Sequence, residues 1–385
     1  MCGKPRLSEK IVLIIQSLFA GKAEPFRTSD GEAVNSRLEV RSAYRRTMKR
    51  TAILIATALS FLTFPILAHA GKWVSGNATT ASASRNYQVW LPSGYDKRKP
   101  APLVMMLHGC MQNPEGLAAI SGMNEIAEKN NFLVVYPEQT AAANPLKCWN
   151  WFDPKHQMRD AGEPAILAEM VKQVSASYKI DGRRVYVVGI SAGGAMATVM
   201  GATYPDLFSA IGVSAGLEYR AASTVEGGLA AMKQVGPDPA QQGFLAFKAM
   251  GESARARRRM PVIVFQGDAD PFVNPANAEQ VMQQWASTND YLANNKINNT
   301  VTAQPVLSLE GSVAGGYAYT RFLYNDRAGR FVMEKWMVKG LGHAWSGSPA
   351  AGPFADPKGP NASAEMWRFF RETAQPQARK PKGKR

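Results

Sequence analysis

The sequence predicts an α/β fold in which a mostly parallel central sheet carries helices on both faces and a small cap insertion. Short apolar runs recur at 102–107, 132–136, 185–190, 210–214 and 261–265, as expected for buried parallel strands. Segments of helical composition separate these runs, and parallel strands require such crossover connections. A glycine-rich turn ends the run at 185–190 and leads directly into a helix.

This turn is the most informative stretch of the chain. It contains the motif Gly-x-Ser-x-Gly at 189–193, which forces a sharp strand-to-helix turn with Ser191 at its tip. The start of the helix leaves the N–H of Ala192 free beside the serine, where it can stabilise an oxyanion. In this context the motif is typical of the nucleophile of α/β-hydrolases, and a structural glycine turn is the alternative. A dinucleotide-binding loop is excluded, because the spacing Gly-x-Gly-x-x-Gly is absent.

The other elements follow from local composition. Residues 85–91 alternate polar and apolar side chains and end at a proline turn, so 72–91 predicts an opening antiparallel pair. Pro164 in a first turn predicts a helix to about Tyr178. Residues 216–258 are rich in alanine and glycine and poorly patterned, as expected for a cap insertion. The remaining elements are a helix over 117–130, a last strand over 331–338 and a closing helix near 362–373.

The net charge of +15 lies mainly at the two ends of the chain. Residues 1–50 hold eleven Lys and Arg against five acidic residues, and 371–385 hold six against one. Residues 71–370 carry 28 basic and 24 acidic residues, so the folded part is only weakly basic. We therefore expect no nucleic-acid partner. The arginines at 255 and 257–259 are interpreted as a solvated helix end.

A secretory signal peptide is predicted at 48–70. A basic pair at 49–50 precedes an apolar run over 51–67 and the small-x-small site of Ala68, His69 and Ala70. We expect cleavage after Ala70 and export to the periplasm or medium. A membrane anchor is the alternative, because the apolar run approaches the length that spans a bilayer.

A signal peptide should begin the chain, so residues 1–47 are interpreted as an overlong gene prediction and Met48 as the natural start. A single catalytic domain is expected over 71–373, followed by a basic tail at 374–385. We expect this domain to be monomeric.

Export agrees with the cysteine content. Without the leader the chain retains Cys110 and Cys148, and an even pair in an oxidising compartment predicts a disulfide bond. The three histidines of the mature chain show no ligand-like spacing, so neither a metal nor a cofactor is expected.

The order of residues along an α/β-hydrolase chain is nucleophile, acid, histidine. His343 is the one histidine after Ser191, and it lies in a glycine-rich loop after the last predicted strand. It is the expected general base. Three carboxylates compete for the role of the acid: Asp268 and Asp270 follow the strand at 261–265, and Asp290 lies in a helix-to-loop region. We favour Asp270, with Asp268 as a turn former.

The second oxyanion donor is expected directly after the strand at 102–107. That strand runs into His108, Gly109 and Cys110, and α/β-hydrolases place an oxyanion loop at this point. The N–H of Cys110 is the predicted donor, with His108 and Gly109 supporting the loop.

Together these segments resemble the esterase family that includes poly(3-hydroxybutyrate) depolymerases, over residues 85–370. The motifs that carry the resemblance lie at 107–112, 148–152, 162–164, 189–194, 342–346 and 356–360. The resemblance implies a triad of Ser191, Asp270 and His343, because the acid falls in a Gly-x-x-Asp-x-x-Val pattern over 267–273. The family usually has His-Gly before this aspartate where the present chain has Gln266. We expect that change to leave the triad untouched.

The resemblance also implies an ester or polyester substrate. Trp149, Trp151 and Trp345 flank the family motifs, so at least one is expected to line an apolar substrate groove; a buried tryptophan cluster is the alternative. Oligomers and polymers of 3-hydroxybutyrate are the preferred substrates, and feruloyl or acetylxylan esters are the runner-up. A non-catalytic binding protein on the same fold is disfavoured because Ser191, His343 and the oxyanion loop are intact. A serine peptidase ranks below both.

Overall fold

A ten-stranded sheet forms the centre of the domain, in the computed structural model of the chain. The structure describes residues 71–81, 83–252 and 259–374. The predicted leader, the signal peptide, the arginines at 255, 257 and 258 and the tail beyond Ala374 lie outside these residues. The strands are β1 (Lys72–Thr79), β2 (Ser84–Leu91), β3 (Ala101–Leu107), β4 (Leu133–Pro137), β5 (Ile180–Ile190), β6 (Ala210–Ser214), β7 (Val262–Gly267), β8 (Leu307–Ser312), β9 (Ala318–Asn325) and β10 (Phe331–Val338).

The strand order is β1-β2-β4-β3-β5-β6-β7-β10-β9-β8. The strands from β4 to β10 in this order pair in parallel, and the outer strands pair antiparallel. The predicted mostly parallel sheet and the opening antiparallel pair are therefore confirmed. In parallel strands the carboxyl ends meet at one edge, so the loops after β3, β5, β7 and β10 lie close together.

Helices cover both faces of the sheet. They are α1 (Pro114–Ser121), α2 (Met123–Asn130), α3 (Gly162–Ser177), α4 (Ala192–Thr203), α5 (Val225–Lys233), α6 (Pro239–Met250), α7 (Ala276–Asn294) and α8 (Ala362–Thr373). Side chains alternate between the faces along each strand. On β5, Val187 joins the core under α3, α4 and α7, whereas Val188 joins the core under α1, α2 and α8. No helix in the described part of the chain is long and apolar enough to span a bilayer.

The structure differs from the sequence-based prediction in two places. The helix expected over 117–130 is two helices, because Gly122 adopts a left-handed conformation (φ 59°) and ends α1. The hairpin of β8 and β9 was not predicted. Its first strand is almost entirely exposed, so burial imposes little alternation of polar and apolar residues on it.

The cap insertion consists of α5 and α6, between β6 and β7. Thr224 caps α5 by accepting the N–H of Gly227, and Asp238 caps α6 by accepting that of Ala240. The carboxyl end of α5 is bonded to the loop after β7, because the N–H of Asn274 donates to the carbonyl of Met232 at 2.8 Å. This contact holds α5 over the carboxyl edge of the sheet. Beyond the cap, Arg259 pairs with Asp326, so it is not the solvated residue that we expected.

Candidate active site

Ser191 lies at the tip of a tight turn between β5 and α4. Its backbone has φ 57° and ψ −123°, a conformation that non-glycine residues rarely adopt and that costs conformational energy. Its N–H donates to the carbonyl of Ser214 on the neighbouring strand. A Cβ on Gly193 would lie 2.1 Å from the carbonyl oxygen of Leu107, so only glycine permits this approach of helix and strand. The turn therefore presents the serine side chain at the carboxyl edge of the sheet.

The loop after β3 contacts this turn. A Cβ built on Gly109 would lie 3.3 Å from the Cβ of Ser191. His108 is fully buried beneath the loop, and its Nε2 accepts the N–H of Gln139 at 3.0 Å. The proton of the neutral imidazole is therefore on Nδ1, which donates to the carbonyl of Gly109 at 2.7 Å.

This hydrogen bond determines the orientation of one peptide group. The C=O of Gly109 and the N–H of Cys110 belong to the same planar trans peptide and point in opposite directions. Because His108 holds the carbonyl, the N–H of Cys110 points away from His108. Burial lowers the pKa of His108 to about 4, although its bond to the Gly109 carbonyl acts in the opposite direction. The imidazole is thus neutral above moderately acidic pH, as its two hydrogen bonds require.

Two further contacts tie the loop after β3 to the segment at 146–148. Cys110 and Cys148 form a disulfide bond with a Cα–Cα distance of 4.2 Å, which confirms the predicted pairing. The N–H of Met111 donates to the carbonyl of Leu146 at 2.7 Å. The loop is thus held by a covalent bond and by a backbone hydrogen bond.

Asp270 and His343 form a hydrogen-bonded pair. His343 Nδ1 lies 2.7 Å from Asp270 Oδ2, and Asp270 Oδ1 accepts the N–H groups of Phe272 and Val273, each at 2.9 Å. Burial would raise the pKa of Asp270. The hydrogen bond and charge of His343 and the two backbone N–H groups outweigh burial, so the pKa is lowered. The carboxylate therefore stays ionised at neutral pH.

The other two candidate acids, Asp268 and Asp290, accept hydrogen bonds from backbone N–H groups. Asp268 Oδ1 accepts the N–H of Gly340 at 2.6 Å, which closes a turn between the loops after β7 and β10. Asp290 accepts the N–H groups of residues 298–301. The structure thus brings Asp270, the favoured residue, against His343.

Gln266 is in direct contact with this acid. Its Nε2 donates to Asp270 Oδ2 at 3.1 Å. The glutamine thus lies directly beside the acid, and the hydrogen bond between Asp270 and His343 is present next to it, so nothing here contradicts the expectation that this change leaves the triad intact.

Ser191 and His343 open into the same cavity, of about 130 Å³. Gly109, Cys110 and Gln112 of the loop after β3 line it. Its other walls are largely apolar and are formed by Met111, Ile190, Met232, Phe272 and Phe354. Sequence analysis missed these side chains. Phe272 was the easiest to find because it lies two residues after Asp270, whereas Met232 lies in the poorly patterned cap.

None of the three predicted tryptophans lines this cavity. Trp149 and Trp345 are fully buried and Trp151 is 4% exposed, so the prediction that one of them contacts substrate is wrong for this cavity. Trp149 packs against the imidazole of His108, with ring centroids 5.5 Å apart. The alternative interpretation, a structural role in the interior, agrees with their burial. The large indole surface gains more from the core than from a small cavity at the edge of the sheet.

Comparison with known proteins agrees with this architecture. The family model described as Esterase PHB depolymerase matches residues 85–303. Poly(3-hydroxyalkanoate) depolymerase C of Paucimonas lemoignei is 31% identical over 80% of this chain and 70% of its own length. Feruloyl esterase B of Neurospora crassa is 28% identical over 64% of this chain and 78% of its own length.

The fold is also found among solved structures. The acetyl xylan esterase from Aspergillus awamori superimposes with a TM-score of 0.59 over 78% of this chain and 99% of its own, at 19% identity. The family match covers more than half of the chain, and the depolymerase relative covers most of it. The chain therefore belongs to the Esterase PHB depolymerase family and is a carboxylic ester hydrolase with the α/β-hydrolase fold.

Proposed function

We propose that this protein is a secreted serine esterase that hydrolyses esters of short hydroxyalkanoate units, in oligomers and at accessible polymer chains. Ser191 is the nucleophile, His343 the general base and Asp270 the acid of the triad. The observation that carries this proposal is that His343, hydrogen-bonded to Asp270, lines the same cavity as Ser191 and the loop after β3.

The geometry supports a two-step acyl transfer. His343 takes the proton of Ser191 as the hydroxyl attacks the ester carbonyl, and later gives it to the leaving alcohol. The ionised carboxylate of Asp270 orients the ring and stabilises the imidazolium that forms. Water then attacks the acyl-enzyme with His343 again acting as the base.

Two backbone N–H groups are suited to the developing oxyanion. Ala192 is the first residue of α4, so its N–H has no intrahelical acceptor. The N–H of Cys110 is oriented away from His108 by the bond between that histidine and the Gly109 carbonyl. Removing one such donor typically costs about 3 kcal/mol of transition-state stabilisation.

The cavity favours a short acyl group. The cavity volume of about 130 Å³ holds an acetyl or hydroxybutyryl group, and the cavity is open on the side of its apolar rim. Feruloyl and acetyl esters of plant polysaccharide are the second candidates, and the hydrolysis panel described below distinguishes them.

The rim of the cavity favours an extended apolar substrate over a free sugar. Met111 and Phe272 line the cavity and are 66% and 51% exposed. Leu146, whose carbonyl binds the N–H of Met111, and Leu229, one turn before Met232 on α5, are also exposed. The exposed side chains of Met111 and Phe272 at the mouth of the cavity can contact the methyl groups of a polyester chain.

Secretion is part of the proposal. The disulfide between Cys110 and Cys148 supports an oxidising compartment. We expect the exported protein to begin at Gly71, which N-terminal sequencing of the secreted material would establish. A membrane-bound product that retains residues 51–67 would contradict secretion.

The proposal is tested by a hydrolysis panel with matched variants. The exported protein is assayed on hydroxybutyrate oligomers, p-nitrophenyl butyrate, acetylated xylan and methyl ferulate. Ser191→Ala should lower kcat by about 10⁵-fold or more, whereas Ser209→Ala, which removes another serine of the same domain, should not. Release of ferulate without action on the oligomers would contradict the substrate assignment. An active Ser191→Ala enzyme would contradict the nucleophile.

A further inference from the structure

Gln266 is a buried amide at the carboxyl end of β7, in contact with the acid of the proposed triad. Its side chain is almost completely buried. Its Nε2 lies within hydrogen-bonding distance of three oxygens: Asp270 Oδ2 at 3.1 Å, the Gly267 carbonyl at 3.2 Å and the Val273 carbonyl at 3.3 Å. All three are acceptors at neutral pH, so the NH₂ group, not the amide oxygen, must face them.

The amide oxygen of Gln266 is left without a partner among the described residues. A buried polar atom without a partner is unfavourable, and an apolar side chain of the same shape would avoid it. Only the NH₂ group of the Gln266 amide therefore has hydrogen-bond partners, and this group faces Asp270.

Gln266 contacts the same oxygen of Asp270 that is hydrogen-bonded to His343. Asp270 Oδ2 also accepts His343 Nδ1 at 2.7 Å, whereas Oδ1 is occupied by backbone N–H groups. Among the described residues, Gln266 and His343 are the two side chains that donate to this carboxylate. Gln266 also bonds carbonyls on both sides of Asp270, so one amide group spans the whole acid loop from Gly267 to Val273.

We propose that Gln266 is a positioning residue for catalysis, which fixes Asp270 Oδ2 toward His343 and supports its negative charge while the imidazolium forms. This inference rests on the proposed triad. Gln266 acts through Asp270 and is not expected to touch substrate.

The chemical nature of the amide has a consequence for pH dependence. A primary amide does not titrate, so the donor that faces Asp270 is present at every pH at which the enzyme works. The other charged groups near the loop are His343 itself, Asp268, which accepts the Gly340 N–H, and Lys233, whose ammonium donates to the Pro271 carbonyl. A glutamate at position 266 would donate only while it held a proton, and would repel Asp270 once ionised.

The test compares three variants of the exported protein on p-nitrophenyl butyrate. Gln266→Met keeps the size of the side chain and removes the donor, and should lower kcat about tenfold with a change in KM below about twofold. Gln242→Met is the matched control. Gln242 is also a buried glutamine with an unpartnered amide oxygen, but it lies on α6, and its replacement should leave both constants unchanged.

The third variant, Gln266→Glu, gives a readout that a purely structural role would not change. Its kcat should fall as pH rises between about 7 and 9, while the wild-type profile stays level. The inference is overturned if Gln266→Met folds and keeps kcat within about twofold of wild type, or if the Gln266→Glu profile parallels that of wild type. Should Gln266→Met fail to fold, the pH profile of Gln266→Glu decides.

A spectroscopic readout separates this inference from the proposed function. The Nδ1 proton of His343 in its bond to Asp270 gives a far-downfield proton resonance, and Gln266→Met should shift or broaden it. Gln242→Met should not. This resonance does not depend on turnover. Hydrolysis that survives Ser191→Ala would reject the proposed function, whereas an unchanged resonance in Gln266→Met would reject the role of Gln266 alone.

Discussion

Acidification should remove the stability that His108, the histidine beneath the loop after β3, contributes to the folded protein. Both ring nitrogens are engaged: Nε2 accepts the Gln139 N–H and Nδ1 donates to the Gly109 carbonyl. Protonation at Nε2 would place its new N–H against the backbone N–H of Gln139, so that two donors would face each other. The perturbation that we consider is a decrease of pH from about 7.5 to about 4.5 in the wild type and in His108→Asn. Asparagine can keep a donor near the position of Nδ1, and it does not titrate.

The magnitude follows from the depressed pKa. The pKa of His108 is about 4 in the folded protein, against an ordinary value of 6.5. The unfolded chain therefore binds this proton more readily, and stability that is complete above about pH 6.5 is lost as pH falls toward 4. Between about pH 7.5 and 4.5, His108 should reduce the free energy of unfolding by about 2.5 kcal/mol.

Another buried group opposes this effect in the wild type. Burial, reinforced by the negative charge of Asp238, raises the pKa of Glu218 to about 9 from 4.5. The folded state therefore holds a proton that the unfolded chain has lost, and stability falls as pH rises from about 4.5 to 9. The two groups have opposite slopes between about pH 4.5 and 6.5, so the wild-type curve alone does not reveal His108.

The assay is urea unfolding followed by tryptophan fluorescence, at several pH values in this range, for the wild type and for His108→Asn. The variant should be less stable at neutral pH, because it loses the packing of the ring on Trp149. The difference in free energy of unfolding between the two proteins should be about 2.5 kcal/mol smaller at about pH 4.5 than at about pH 7.5. A difference between the two proteins that stays constant with pH would refute the reasoning, since His108 would then not titrate differently in the folded state.

Three further predictions concern the acid, the disulfide and Glu218. Asp270→Asn should lower kcat on p-nitrophenyl butyrate by about 10⁴-fold, as loss of the triad acid does elsewhere; Asp268→Asn should retain most activity, and the reverse ranking would show that the acid has been misassigned. Reduction of the bond between Cys110 and Cys148, which closes a loop of 38 residues, should lower the free energy of unfolding by about 4 kcal/mol. Peptide mapping of the non-reduced protein should show the linked pair, and two alkylatable thiols would contradict it. Between about pH 5 and about pH 8, Glu218 should lower the stability of the wild type by about 4 kcal/mol while His108 raises it by about 2 kcal/mol, so the net loss should be about 2 kcal/mol. Glu218→Gln does not titrate at this position, so its stability should rise with pH over this range in thermal melts; the same pH dependence in both proteins would show that Glu218 is not the group responsible.

Much of the fold could be predicted from local sequence. The apolar runs predicted the buried strands, because a strand covered on both faces needs apolar side chains at every position. The turn around Ser191 was equally readable, since the close approach of α4 to β3 excludes a Cβ at Gly193. The pairing of Cys110 with Cys148 followed from the cysteine count together with the predicted signal peptide. Each of these features depends on residues that are adjacent in sequence or on a choice with few alternatives.

The features that the sequence did not predict depend on packing between segments that are distant in sequence. The helix expected over 117–130 is divided at Gly122, where a Cβ would lie 3.1 Å from the side chain of Pro349, a residue distant in sequence. The aromatic motif at 148–152 was predicted to help line an apolar substrate groove. In the structure, Trp149 packs against His108 in the interior. Aromatic composition alone does not distinguish a groove from a core, because both exclude water.

The candidate site shows the same division. The sequence by itself determined the nucleophile turn, the histidine and a choice of acids, because each lies at the end of a strand in a recognisable order. Only the tertiary structure brought Asp270 to His343, placed the Gln266 amide on the same carboxylate oxygen and closed the cavity with Met232 of the cap. These side chains come from separate segments, and their contacts are set by the sheet order and by the hydrogen bonds that hold the cap to the acid loop. No local sequence pattern predicts the distances between these side chains, because the distances are determined by packing of the whole domain.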